Sequence, residues 1–190
     1  GLKPKRGGLV GKCQPQFALE AQVGHDLGGK RRIFGKMRLD FDALDFIQVN
    51  AAINARMIDH ALGLLAVQPD ESILDLFCGL GNFTLPLARV AKSVVGVEGD
   101  HALVARARRN AERNGIGNAE FFMADLAENQ RDAAWAKRHY DRVLLDPARA
   151  GADKLIEWFP FKQVKRVVYV SCHPASLARD AGLLVREHGF

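Results

Sequence analysis

A chain of 190 residues, 48% hydrophobic and 26% charged, has ordinary globular composition and enough apolar residues for one good core. Its 27 basic against 22 acidic residues leave a net charge of +5, an excess that permits a nucleic-acid partner without demanding one. The three cysteines, Cys13, Cys78 and Cys172, are scattered and form no C-x-x-C pair, which argues against a zinc site, an iron–sulfur site or a disulfide framework within the chain and makes a reducing cytoplasm the default.

Gly1 to Gly35 is rich in Gly, Lys and Arg and poor in periodicity. It reads as a solvated, partly disordered leader, or as the remnant of an upstream domain. Ile33 to Phe41 alternates partially and is expected to be a strand. Asp45 to Asn50 leads into a helix with an apolar stripe of Ile53, Met57, Ala61, Leu62, Leu64 and Leu65. Next comes the apolar run Ile73, Leu74, Leu76 and Phe77, interrupted only by Asp75. It ends in Cys78-Gly79-Leu80-Gly81-Asn82, and a helical pattern of Phe83, Leu85, Leu87 and Ala88 follows. That is a strand, a tight glycine turn and a helix. Glycines let the backbone approach a ligand, and the helix N-terminus offers free N–H groups. The Rossmann fingerprint wants a third glycine where this chain has Thr84. The turn therefore leaves three readings open: S-adenosylmethionine (SAM), NAD, or a purely structural bend.

Ser93 to Val97 is a second strand, ending at Glu98. A carboxylate there can accept from two ribose hydroxyls at once, or cap a helix. The helix His101 to Asn114 carries Arg106, Arg109 and Arg113 on one face, read as a solvated face. Ala119 to Met123 is a third strand, followed by Asp125, either an acceptor for an adenine amino group or a cap. Tyr140 to Leu145 is a fourth, running into Asp146-Pro147, and Lys165 to Ser171 a fifth. A helix runs from about Ala175 to His188. Strict β and α alternation from residue 72 onward predicts a parallel sheet with helices on both faces. Cys172 follows a strand at the sheet edge shared by Asp75, Glu98 and Asp146, just before a helix. It is either a reactive thiol or a structural cysteine.

Four segments, in order, resemble the RNA uracil-C5 methyltransferases. Val170-Ser171-Cys172-His173-Pro174-Ala175-Ser176-Leu177-Ala178-Arg179-Asp180 is similar to their catalytic-cysteine segment. Leu145-Asp146-Pro147-Ala148-Arg149-Ala150-Gly151 is similar to their strand-four motif. Asp75 to Leu85 resembles their cofactor turn, and Phe46-Ile47-Gln48-Val49-Asn50 their entry segment. The wording of the Asp-Pro motif is nearer the branch acting on 23S ribosomal RNA than the tRNA branch.

The resemblance implies a class I SAM-dependent methyltransferase fold (Rossmann-like) with SAM as cofactor. Its chemistry is methylation of uridine C5 in ribosomal RNA through a covalent Cys–C6 adduct. By position, Gln48, Phe77, Gly79, Asn82, Glu98, Asp125 and Asp146 match cofactor-binding positions, Cys172 the nucleophile, and Arg149 a residue near the uracil pocket. His173 stands where the family usually has asparagine.

The partner implied is ribosomal RNA with its uridine flipped out or single-stranded. No membrane is expected, because no apolar stretch is long enough to cross one. The family's seven-stranded sheet is represented by about five strands, so the C-terminal strands are expected to be truncated. The fifth strand then offers an edge for self-association. Residues 1–45 are expected to belong to an upstream or central domain and linker, and 46–190 to the catalytic domain. The family's general base, a glutamate beyond the cysteine helix, has no counterpart here, since Glu187 matches no motif. The resemblance leaves room for the family's iron–sulfur cluster in a full-length protein, and not in this chain. The other readings are a tRNA uracil-5-methyltransferase, an NAD-linked oxidoreductase and a non-catalytic RNA-binding module.

Overall fold

A computed structural model describes residues 17–27, 30–41 and 50–190, the side chains of 17–36 excepted. The entry segment with Phe46 and Gln48 lies outside the described residues. β1 (Phe17–Leu27) and β2 (Lys30–Phe41) form an antiparallel ribbon with a register shift at Val23/Gly24. The leader reading is thus corrected over 17–27 and 30–35, where paired strands stand.

α1 (Ala51–Leu65) begins at Asn50, whose side chain accepts from the N–H groups of Ala52 and Ile53, both at 3.1 Å. Its buried face is Asn54, Ile58, Ala61, Leu62 and Leu65. The expected stripe is therefore displaced, and Ile53 and Leu64 are 53% and 51% exposed. The reason is Asn54, a polar residue that belongs to the buried face because its amide finds a partner there.

Five strands make the main sheet: β3 (Ser72–Leu76), β4 (Ser93–Glu98), β5 (Ala119–Met123), β6 (Arg142–Leu145) and β7 (Arg166–Tyr169). They are parallel, in the order β5-β4-β3-β6-β7. Alternate strand residues serve two cores. Ile73, Val94, Leu144 and Val168 pack with α1, α2 (Thr84–Ala88) and α3 (His101–Arg113). Leu74, Leu76, Val95, Val97, Val143 and Leu145 pack on the other face with α4 (Asp153–Trp158) and α5 (Pro174–His188). Helices cover both faces, as expected for strands apolar on both sides.

Strict alternation fails once. Residues 124–141, between β5 and β6, contain no helix. That stretch is pinned by Trp135, which stands 5.9 Å from Trp158 and 6.2 Å from Phe159, ring centre to ring centre. Large rings bury area without needing a repeating backbone.

β2 is fastened to α3 by an asparagine ladder. Asp40 donates its N–H to Asn110 Oδ1 at 2.9 Å and accepts from Asn110 Nδ2 at 3.2 Å. Arg38 does the same with Asn114, at 3.0 and 2.7 Å. Two amides one helical turn apart thus stand in for a neighbouring strand. Asn110 also donates to the Leu80 carbonyl at 3.1 Å, which ties the glycine turn into the same unit. Met37 and Leu39 join the core containing Ile58 and Ile73. The arginine face on α3 is also corrected. Arg106 is only 6% exposed and Arg113 pairs with Asp40, while Arg109 is exposed.

At the opposite sheet edge, Arg142 makes a two-pronged pair with the buried carboxylate of Glu71 and donates to the Leu65 carbonyl at 2.6 Å. Removing one partner strands the other charge. Glu71→Ala is expected to destabilise the chain by about 3 kcal/mol, read as a lower urea midpoint with unchanged slope. No helix among the described residues is long and apolar enough to cross a membrane.

Candidate active site

Because the strands are parallel, their carboxyl ends share one edge, where open α/β sheets bind ligands. Strand order reverses between β3 and β6. The glycine turn leaves β3 on one side of that switch point, and Asp146 leaves β6 on the other.

The turn is left-handed at Phe77 (φ 65°), Gly79 (φ 54°) and Gly81 (φ 96°). For phenylalanine this conformation costs ~1–3 kcal/mol and persists only where its surroundings hold it. They do so here. Cys78 N–H donates to the Val97 carbonyl at 3.1 Å, and Gly79 N–H to Glu98 Oε2 at 3.0 Å. The other Glu98 oxygen accepts from Asp100 N–H at 3.0 Å. Glu98 is thereby fixed with two of roughly four acceptor positions used.

Asn82 makes a reciprocal amide pair with Asn54, at 2.8 and 3.0 Å, joining the turn to α1. Asp125 is exposed, and its Oδ1 accepts from Ala127 N–H at 2.9 Å, closing an Asx turn rather than capping a helix. Asp146 is half-buried, and burial pushes its carboxyl up to about 6.

Thr84 was legible only as a missing glycine. Its hydroxyl donates to Asp75 Oδ2 at 2.5 Å inside the core. Burial pushes the Asp75 carboxyl up to about 8 against that hydrogen bond, with help from the charges of Asp146 and Glu98. The folded chain therefore keeps a proton that the unfolded chain loses near its ordinary value of 3.8. Stability from this group falls as pH rises through that window, by up to ~1.4 kcal/mol per pH unit. Asp75→Asn removes the titration. Urea unfolding at about pH 5 and about pH 8 is expected to favour the variant over the parent by at least ~2 kcal/mol more at the higher pH. Parallel pH curves would contradict this.

The two described cysteines differ sharply. Cys78 is buried against Gly96, where an added Cβ would come 2.9 Å from its sulfur, and burial pushes its thiol well up. Cys172 is exposed, in the bend between β7 and α5. Ser171 Oγ accepts from His173 N–H at 3.0 Å and donates to the His173 carbonyl at 3.1 Å, closing that bend around the thiol. His173 caps α5 by accepting the Ser176 N–H on Nδ1 at 3.3 Å, so this histidine serves as helix cap. Arg149 is exposed in the turn closed by Gly151 N–H on the Ala148 carbonyl at 2.9 Å. Glu98, at the end of β4, and Asp146, Arg149 and Cys172, which follow the ends of β6 and β7, thus share one edge, with the glycine turn beside them. Asn54 and Thr84, which support the turn, were not singled out as site residues. Their signal was polarity at apolar-pattern positions.

Residues 34–189 match the model of the tRNA (uracil-5-)-methyltransferase family. The chain is 62% identical over 154 residues to the 23S rRNA (uracil(1939)-C(5))-methyltransferase RlmD of Xanthomonas campestris pv. campestris (strain 8004), covering 81% of this chain and 35% of that protein. It is 64% identical to the enzyme of the same name from Stenotrophomonas maltophilia (strain R551-3), with the same coverage. The chain thus spans about a third of the length of these relatives. Among solved structures, it is similar to the Pyrococcus abyssi tRNA (uracil-54, C5)-methyltransferase in complex with S-adenosyl-L-homocysteine. The TM-score is 0.64 at 29% identity, covering 77% of this chain and 35% of that one. A precorrin-6y C5,15-methyltransferase from Geobacter metallireducens (TM-score 0.60, 16% identity, 74% of this chain and 72% of that one) shares the fold alone. The fold is that of the class I SAM-dependent methyltransferases, Rossmann-like. The chain belongs to the tRNA (uracil-5-)-methyltransferase family.

Proposed function

We propose that this chain forms part of the catalytic domain of an enzyme that transfers methyl from SAM to C5 of a uridine in 23S ribosomal RNA, through a covalent bond between Cys172 and C6 of the base. The observation that carries the reading is one sheet edge bearing a fixed acceptor, Glu98, beside the glycine turn, and an exposed thiol, Cys172, across the strand-order switch. The residues fit a cationic nucleoside ligand. Glu98 has acceptor capacity for the ribose hydroxyls, and Glu98 and Asp146 stand near enough to the buried Asp75 for their charges to raise its carboxyl. Gly79 and Gly81 allow close backbone approach, and Phe77 offers an aromatic ring at the turn.

When bound, SAM supplies an electrophilic methyl group. The chain's own part is to make C5 attack it. Uracil C5 is too weak a nucleophile unaided. Addition of the Cys172 thiolate to C6 places the electron pair on C5 and O4, splitting one hard step into two easier ones. After methylation a general base, a role that no residue of this sequence matches, takes the C5 proton, and the Cys172–C6 bond breaks to return the thiolate. The uridine must leave its stack to reach Cys172. Arg149, exposed beside this edge, is suited to the RNA backbone or the uracil carbonyls.

The names of the relatives favour 23S rRNA over tRNA, and the test follows. Transcripts of 23S rRNA and of tRNA are incubated with methyl-labelled SAM and digested to nucleosides. Label in 5-methyluridine from the 23S transcript is the expected result. Label from tRNA alone would move the substrate to the other branch. An NAD-linked reading is disfavoured because Thr84 stands where the dinucleotide fingerprint has its third glycine.

The raised carboxyl of Asp146 adds a pH test. Its charge is lost as pH falls through about 6. Affinity for S-adenosylhomocysteine is expected to fall between about pH 7 and about pH 5, and to fall less in Asp146→Asn. Equal slopes would contradict a role for this carboxylate.

A further inference from the structure

Asp180, on α5, is fully buried. Its Oδ2 accepts from Ala152 N–H at 2.6 Å and from the Tyr169 hydroxyl at 2.5 Å. Its Oδ1 accepts from Arg179 Nε at 2.8 Å. Arg179 reaches on to the Ala150 carbonyl at 2.7 Å and to Asp153 at 3.4 Å. Between these groups runs Gly151, left-handed at φ 87°. A Cβ there would come within 2.5 Å of both Arg179 Nη2 and Asp180 Oδ2, and 3.0 Å from Ser176 Cβ. Only glycine lets the loop come this close.

Three segments therefore meet on one carboxylate: the loop after β6, the end of β7, and α5. The first carries Asp146 and Arg149. Cys172 lies in the bend between the second and third. Burial works to raise Asp180, but the bonds from Arg179, Ala152 and Tyr169 together hold it below the usual carboxylate range. The Tyr169 hydroxyl is pushed well up, by burial first and then by its bond to Asp180. Both groups keep these roles, acceptor and donor, across neutral pH. A buried charge is a poor way to add stability, since apolar packing often does as well. What it adds is a fixed geometry among groups from separate segments.

We propose that Asp180 is a positioning residue: it locks the Cys172 bend against the Asp146–Gly151 loop and so sets the reach of the thiol to the base. This rests on the reading of Cys172 as nucleophile. Misplacement by about 1 Å costs on the order of 100-fold in rate. Binding of the cofactor analogue need not change, because the glycine turn and Glu98 lie on the far side of the switch point and Asp146 is held in the ladder by its own N–H on the Leu76 carbonyl at 3.3 Å.

The test uses the protein at its natural length, with Asp180→Ala, Asp180→Asn, Tyr169→Phe and Cys172→Ala. Three quantities are read well below the unfolding temperature: single-turnover methyl transfer, the rate of adduct formation with 5-fluorouridine RNA, and affinity for S-adenosylhomocysteine. Asp180→Ala is expected to slow both rates at least about 30-fold and Tyr169→Phe about 3- to 10-fold, with cofactor affinity within about twofold. Asp180→Asn, which keeps the shape and one acceptor oxygen, should fall between Asp180→Ala and the parent. Unchanged rates in a folded Asp180→Ala would overturn the proposal. So would rates that fall only in proportion to cofactor affinity, the sign of general damage. Where Asp180→Ala does not fold, Tyr169→Phe decides by the same criteria. A parent protein without methyl transfer, or Cys172→Ala retaining it, would instead sink the functional reading and this inference with it.

Discussion

Cys172→Ser is expected to reduce methyl transfer by more than about 10,000-fold while leaving affinity for S-adenosylhomocysteine unchanged. In the proposed mechanism the thiolate, not the thiol, adds to C6, and a serine hydroxyl at the same place is far too weak an acid to supply the corresponding anion at neutral pH. The bend explains why this cysteine and not the other. Ser171 bonds across the bend to both backbone groups of His173, and Cys172 between them is exposed. Cys78 is sealed in the core with its thiol pushed up by burial. Single-turnover assays with labelled SAM give the comparison directly. Residual transfer above about 1% of the parent would mean that C5 is activated in some other way.

Glu98→Ala is expected to weaken S-adenosylhomocysteine binding at least about 100-fold. Hydrogen bonds to a charged group contribute about 1.5–3 kcal/mol each, and a ribose offers two hydroxyls to one carboxylate. The same substitution also removes the acceptor for Gly79 N–H, so the left-handed turn loses part of its support. Glu98→Gln separates the two effects. It keeps a side-chain oxygen for the turn but loses the charge, and a loss of about 10-fold is expected. Isothermal titration checks both. Equal affinity across parent, Gln and Ala forms would remove Glu98 from the site.

The main sheet was legible because each strand is a short apolar run between glycines, prolines or charges, and its carboxyl end carries a residue type suited to a ligand. The glycine turn was legible for the same reason. What escaped depends on contacts distant in sequence. β1 hides in a stretch rich in Gly, Lys and Arg, and the backbone of its partner β2 is satisfied by Asn110 and Asn114 on a helix some seventy residues later. The buried face of α1 is not legible in the apolar pattern because Asn54 counts as polar, and its partner Asn82 lies in the glycine turn. Thr84 looked like a broken fingerprint because its partner Asp75 lies one strand and one turn earlier. The missing helix between β5 and β6 is replaced by ring packing around Trp135, which has no period to detect. The role of Asp180 is not legible from its own segment, since two of its three donors, Ala152 and Tyr169, come from elsewhere in the chain.

The most direct test of the central claim is a covalent trap. RNA carrying 5-fluorouridine at the target is incubated with the protein and SAM, the adduct is digested, and the cross-linked peptide is sequenced by mass spectrometry. Fluorine at C5 cannot leave as a proton, so the intermediate stalls. The expected product is a methylated nucleotide attached to the peptide through Cys172. Methylation of ordinary RNA without any trapped adduct, or a cross-link at another residue, would contradict the account.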